Sequence, residues 1–168
     1  MTDRYVVQDP THSQVEITFD ADTGVVEVRS GTSHAVLTRR LHAPFRDGIP
    51  IGTRTAADLH LTVGGNDVEL SMGKGFLSRR SYSISVLGAG PALTFTPVDD
   101  ATSEFTRDGV RIGALSKDEN SDPRRTDAEW FGTPSGDELV IAYALAEAFD
   151  CGALHGAVAL MESWLSGN

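Results

Sequence analysis

Pro134-Ser135-Gly136-Asp137-Glu138-Leu139-Val140-Ile141-Ala142-Tyr143-Ala144-Leu145-Ala146-Glu147-Ala148-Phe149-Asp150 reads as a helix without a polar side. Ser135 precedes Glu138 by three residues, the spacing of a capping box that satisfies helix N-terminal amides reciprocally. With about 3.6 residues per turn, the apolar residues from Leu139 to Phe149 cover the whole circumference, broken only by Glu147. A helix apolar all round is enclosed on all sides. The uncharged run Leu139–Ala146 falls far short of the roughly 20 apolar residues of a membrane span. The spacing therefore predicts a buried core helix over 135–150.

Upstream, the period changes from helical to two. Val15, Ile17 and Phe19 alternate with Glu16, Thr18 and Asp20; Leu59, Leu61 and Val63 alternate with His60 and Thr62. Val68–Met72, Tyr82–Val86, Leu93–Thr96 and Val110–Ala114 repeat the pattern. Weaker runs lie at Tyr5–Gln8, Val25–Ser30, Ala35–Leu41, Ile49–Thr53, Ser103–Arg107 and Thr126–Phe131. Alternation of this kind puts one face on a core and the other in water. Asp20–Gly24, Gly64–Asp67, Gly88–Pro91, Asp47-Gly48 and Asp108-Gly109 carry hairpin turn chemistry. Arg46-Asp47-Gly48-Ile49-Pro50-Ile51-Gly52 echoes Arg107-Asp108-Gly109-Val110-Arg111-Ile112-Gly113, which reads as a recurring hairpin.

About twelve half-apolar strands and one wholly apolar helix need each other. An eight-stranded barrel fills itself with side chains, whereas a helix about 10 Å across needs a wider barrel. The expected fold is α+β and predominantly antiparallel β: a closed barrel of about twelve strands enclosing the C-terminal helix. An open sandwich with helices across one face is the alternative, but it would leave a polar side on the helix. No structureless linker divides the 168 residues, so one domain is expected: strands over 1–131, the helix over 135–150 and a helical tail over 152–168.

Charge sets limits on partners. Fourteen Lys and Arg against 24 Asp and Glu give a net charge of −10, the wrong sign for neutralising nucleic-acid phosphates. The single cysteine, Cys151, excludes an internal disulfide framework and a Cys-rich zinc site. The N-terminus has no apolar signal region, so a cytoplasmic protein is expected. Residues 29–80 nevertheless carry eight basic and four acidic residues, whereas Thr126–Asn168 carry seven acidic and no basic ones.

Further short segments carry a family likeness. Tyr5-x-x-Gln8, Phe19-Asp20-x-x-x-Gly24 and Val28-x-x-Gly31 open the series. Leu37-x-Arg39-Arg40-Leu41-His42, Phe76-Leu77-x-Arg79-x-x-Tyr82-Ser83-Ile84 and Glu104-Phe105-x-Arg107-Asp108-Gly109 continue it. Pro134–Leu139 through Ala148-Phe149-Asp150-Cys151 ends it. In this order the chain resembles the tubby C-terminal-like superfamily, specifically the LURP-one-related group and its small bacterial members. The resemblance implies a twelve-stranded barrel around a hydrophobic C-terminal helix. It also implies phospholipid contacts, because tubby domains bind phosphoinositides through basic residues and phospholipid scramblases share the superfamily. The residues 152–168 run past the usual end of the small bacterial members.

Arg39-Arg40 and Arg79-Arg80 are the basic candidates that this resemblance points to. Neighbours on a strand face opposite ways, so Arg40 with His42, and Arg79 with Ser81 and Ser83, are expected to point outward as ligand-binding residues. Asp118-x-Asn120-x-Asp122 with Glu129 has calcium-loop spacing, but Pro123 stands where that loop needs glycine. These four are metal candidates by spacing alone; no metal or other cofactor is expected. His12, His34, His42, His60 and His155 lack ligand spacing, and no nucleophile–base pair stands out. Cys151 at a helix end is expected to be buried and inert. Trp130-Phe131 and Trp164 read as anchors.

The expected function is that of a non-enzymatic binding or scaffold domain acting through a protein partner or a lipid headgroup. The alternatives are an enzyme with a rim-loop site using His42, His60 or Asp118, and a calcium-linked lipid-handling protein.

Overall fold

The computed structural model describes residues 1–75, 78–88, 90–122 and 124–152. The alternating runs become β1 (Thr2–Asp9), β2 (Ser13–Asp20), β3 (Val25–Ser30), β4 (Ser33–Arg39), β5 (Leu59–Val63) and β6 (Asn66–Met72). The second half continues with β7 (Ile84–Leu87), β8 (Leu93–Pro97), β9 (Thr102–Arg107), β10 (Val110–Asp118) and β11 (Arg125–Trp130). Each strand pairs antiparallel with its neighbours in sequence, giving one 11-stranded sheet in the order β1 to β11. The sheet curls into a nearly closed barrel. The predicted tail over 152–168 falls, beyond Gly152, outside the described residues. Among the described residues no helix is long and apolar enough to cross a membrane.

The helix α1 (Gly136–Phe149) packs against the inner face of this sheet. Every residue from Glu138 to Phe149 is buried. The predicted capping box is present: Glu138 N–H donates to Ser135 Oγ at 3.2 Å, and Ser135 N–H donates to Glu138 Oε2 at 2.9 Å. Around α1 stand the inward residues of the wall, including Val15, Ile17, Val28, Leu37, Leu61, Ile84, Phe95 and Phe105, in one continuous core. Each fully buried apolar side chain of that size contributes roughly 1.5–3 kcal/mol over its exposed state. The missing polar side of the helix is thereby explained.

Eleven of the expected strands form; Ile49–Thr53 does not. Gly52 takes φ 88°, which turns the chain, and Ile51 becomes a plug instead. Its side chain is wholly buried and its N–H donates to Ala148 O at 2.9 Å, on the last turn of α1. The echoed segments therefore differ: Asp108-Gly109, both at positive φ, is a hairpin turn between β9 and β10, while Asp47-Gly48 lies in a loop.

A second departure lies in β10. The pairing with β9 shifts register between Arg111 and Gly113, a bulge that inserts one residue. Ile112 and Gly113 are both buried, and from there Leu115 and Lys117 face inward while Ala114 does not stay on the face of Ile112. A one-residue shift moves every following side chain to the other face.

Three carboxylates tie α1 to the wall, and two of them, Asp9 and Glu147, also hold the seam between β1 and β11, the two ends of the strand order. Glu138 takes a two-pronged bond from Arg107 on β9, at 2.7 and 2.5 Å. Asp9 on β1 accepts Tyr143 Oη–H at 2.8 Å and Trp130 Nε1–H of β11 at 2.9 Å. Glu147 accepts from Lys117 Nζ and Thr126 Oγ1, each at 2.5 Å, and from the Tyr5 hydroxyl.

Candidate functional site

Antiparallel succession sorts the connections between the two ends of the barrel. At the end where α1 enters, the strands are joined by short turns at 10–12, 31–32, 64–65, 88–92 and 108–109. At the end where α1 finishes lie the short turn 21–24 and the connections 40–58, 73–83, 98–101 and 119–124. This second rim sits on the helix terminus: Gly152 N–H donates to Ser103 Oγ at 3.0 Å, and Arg124 pairs with Asp150 at 3.5 Å. Long connections on a rigid wall are where contacts with other molecules are usually made.

All three expected ligand residues lie on this rim, but not as strand parity placed them. β4 ends at Arg39, so Arg40 and His42 belong to the loop 40–58. Arg40 is exposed and its N–H donates to Asp58 O at 2.8 Å, while His42 turns the chain at φ 72°. Arg79 is in a single-turn 3-10 helix, Arg79–Tyr82, not in a strand. Its guanidinium is exposed and pairs with Asp100 at 2.5 Å, so much of its charge is already answered. Arg40 and Arg46 have no side-chain partner among the described residues.

The expected set misses the residues that give the loop 40–58 its character. Leu41 is 86% exposed and Phe45 56%. Both sit in a stretch, Arg39 to Arg46, with three arginines, one histidine and no acid. The loop is held firmly. Arg46 N–H donates to Gly52 O at 2.7 Å and Ala43 N–H to Arg40 O at 3.1 Å. The Arg39 guanidinium donates to Ile51 O and Asp22 O, each at 2.9 Å, and lies 5.1 Å from the centroid of the Phe45 ring. Gly52 is the close-approach point: a Cβ there would lie 2.4 Å from Phe45 Cδ2. Nothing in the period-two pattern flags an exposed Phe in a turn-rich segment.

Further along the same loop, Arg54 is largely desolvated over the rings of Tyr82 (5.2 Å) and Phe149 (5.6 Å). Burial lowers its pKa to about 10, so it remains charged at neutral pH. It donates to Tyr82 O at 2.7 Å and stands at the C-terminal end of α1, where the helix dipole favours a cation.

Among the hollows of the described surface are two of similar size. One, of about 270 Å³, opens on the rim between Tyr5, Phe19, Pro50, Arg124 and Asp150, with the Lys117–Glu147 pair in its lining. The other, of about 240 Å³, is a shallow polar dish on the outer face of β1–β3, lined by Arg4, Glu16, Thr18, Glu27 and Arg29. Neither is lined by His42, His60 or Asp118. His60 instead bonds Asp67 at 2.8 Å on the outer wall. Burial pushes the Cys151 thiol up, which keeps it protonated.

The calcium-type spacing does not become a cluster. Asp118 pairs with Arg125, whereas Glu129 pairs with Ala114 four residues further along β11, roughly 13 Å away at about 3.3 Å per residue. Asp118 Oδ1 accepts the Asn120 N–H at 2.9 Å within its own turn. Among the described residues no group of three or more His, Cys, Asp or Glu is placed to hold a metal. Pro123 and the predicted features at Phe76-Leu77, His155 and Trp164 lie outside the described residues. Comparison with protein-family models, with curated proteins and with solved structures finds no match to this chain.

Proposed function

We propose that this chain is a non-enzymatic binding or scaffold domain of the tubby/LURP-one-like type, whose contact surface is the rim at the C-terminal end of α1. The observation that carries the reading is Leu41 and Phe45 standing out of a firmly held loop beside Arg40 and Arg46, which have no side-chain partner among the described residues. Solvent-exposed apolar side chains held rigid by their own loop present contact area at low ordering cost. The barrel around an apolar C-terminal helix is the architecture that the likeness to that superfamily implies, which supports the same reading.

Site-directed photo-crosslinking tests it. A benzophenone side chain is placed at position 45, and for comparison at position 127 on the outer face of β11, in the native cell background and with anionic liposomes. Adducts, to protein or to lipid, are expected from position 45 and not from 127. Equal labelling at both positions, or none at 45, contradicts the proposal.

A further inference from the structure

The sector Arg40–Arg46 also carries information about what covers it. This step rests on the rim being the contact surface. The sector is positive and apolar, but the rim around it is mixed: the connection 73–83 carries Lys74, Arg79 and Arg80, of which Arg79 is already held by Asp100, and the other connections are net acidic. Asp20 and Asp22 lie on the adjoining turn, which the Arg39–Asp22 bond holds against the loop. Further round the same rim come Asp99, Asp100, Glu119 and Asp122. A planar anionic bilayer laid across Leu41 and Phe45 would meet these carboxylates as well, on a molecule of net charge −10. Like charges brought together across an interface repel and disfavour the contact. A protein segment can cover the sector alone.

From this placement we infer that the occupant is an acidic, amphipathic segment of a partner protein, its apolar side chains on Leu41 and Phe45 and its carboxylates on Arg40 and Arg46. The chemistry at each position agrees. Phe45 is pre-set against Gly52 and Arg39, the condition for an aromatic anchor at an interface. Arg40 and Arg46 have unused guanidinium donors among the described residues, and planar guanidinium groups take carboxylates two-pronged. His42 lies between them on the same exposed loop. Arg79 contributes little, because Asp100 already holds it.

The test uses the full chain and defined probes: a synthetic helical peptide with a Leu/Trp face and a Glu face, the same peptide with Lys for Glu, and neutral and anionic vesicles. Fluorescence anisotropy and vesicle sedimentation are read at two salt concentrations, with sedimentation velocity of the protein alone. The expected result is binding of the Glu peptide, weakened about tenfold or more by the Lys exchange, by Phe45→Ser and by the pair R40E/R46E. Asp127→Lys on the outer wall should leave it unchanged, and all variants should keep the wild-type Tm. Binding to anionic vesicles alone, lost in the same variants, would overturn the partner class while leaving the rim reading intact. Self-association removed by Phe45→Ser would replace the partner with a second copy. No binding to any probe would overturn the inference, and a missing crosslink from position 45 would remove the rim reading with it.

Discussion

Trp130 donates its indole N–H to Asp9 at 2.9 Å, across the seam between the last strand and the first. The same carboxylate oxygen accepts the Tyr143 hydroxyl from the central helix at 2.8 Å. One buried side chain thus joins both edges of the barrel to its axis. Trp130 is fixed from the other side by Phe105, whose ring meets it edge-on at 6.3 Å. The gap in the ladder is closed by side chains rather than by backbone.

Removing the charge at Asp9 should therefore loosen the seam. Asp9→Asn is expected to cost about 1–3 kcal/mol in urea denaturation, because Asp9 is buried, its bonds are charge-assisted and its partner Tyr143 is buried. A double-mutant cycle with Trp130→Phe should show coupling of at least about 0.5 kcal/mol. Additive losses would mean that the two residues act separately.

Acid should act on the same bonds. Burial by itself would raise the Asp9 carboxyl, but the bonds from Trp130, Thr11 and Tyr143 outweigh it and hold the pKa below its ordinary value. For Glu138, burial is likewise outweighed by Arg107 and the Ser135 amide. Depressed carboxylates contribute stability that is present above their unfolded pKa, about 4, and is lost as pH falls through the folded one. Urea midpoints should be flat with respect to these two groups from neutrality to about pH 5 and fall below about pH 4. Asp9→Asn should blunt that fall.

The Lys117–Glu147 pair gives an asymmetric prediction. Both side chains are under one-tenth exposed. Lys117→Met alone leaves Glu147 buried and uncompensated, and should cost about 3–5 kcal/mol. The double variant K117M/E147L should recover much of that loss. A double variant as unstable as the summed singles would contradict the argument.

Much of this architecture is legible in the sequence, and the failures have physical causes. Period two located eleven strands, and the unbroken apolar run placed the helix on the axis. Ile49-Pro50-Ile51 alternates like a strand, yet the chain turns at Gly52 and spends Ile51 on the helix end. Lys117 was invisible as a core residue because the bulge at Arg111–Gly113 reverses the face of everything after it. Arg79–Tyr82 continues the alternation of β7 on paper but winds into a 3-10 turn, with Ser81 N–H on Ser78 O at 3.0 Å. The Asp9–Trp130 bond joins residues 121 apart, a distance no local pattern reaches. At the site, basic residues were legible from composition, but Leu41 and Phe45 were not, since exposure of an apolar residue depends on where a loop is anchored.

Loop anchoring itself can be tested at Gly52. Its φ of 88° and its contact with Phe45 both exclude a side chain. Gly52→Ala is expected to cost roughly 1–3 kcal/mol and to move the Phe45 ring resonances. An unshifted Phe45 would show that the loop is not held there.

The central claim, that an apolar helix forms the axis of a nearly closed barrel, is tested most directly by native-state hydrogen exchange of the amides from Leu139 to Ala148. The account predicts that they exchange only through global unfolding, with protection equal to the stability from denaturant titration and with the same denaturant dependence. Exchange of these amides at the rate of a solvent-washed helix, well below the global stability, would contradict it.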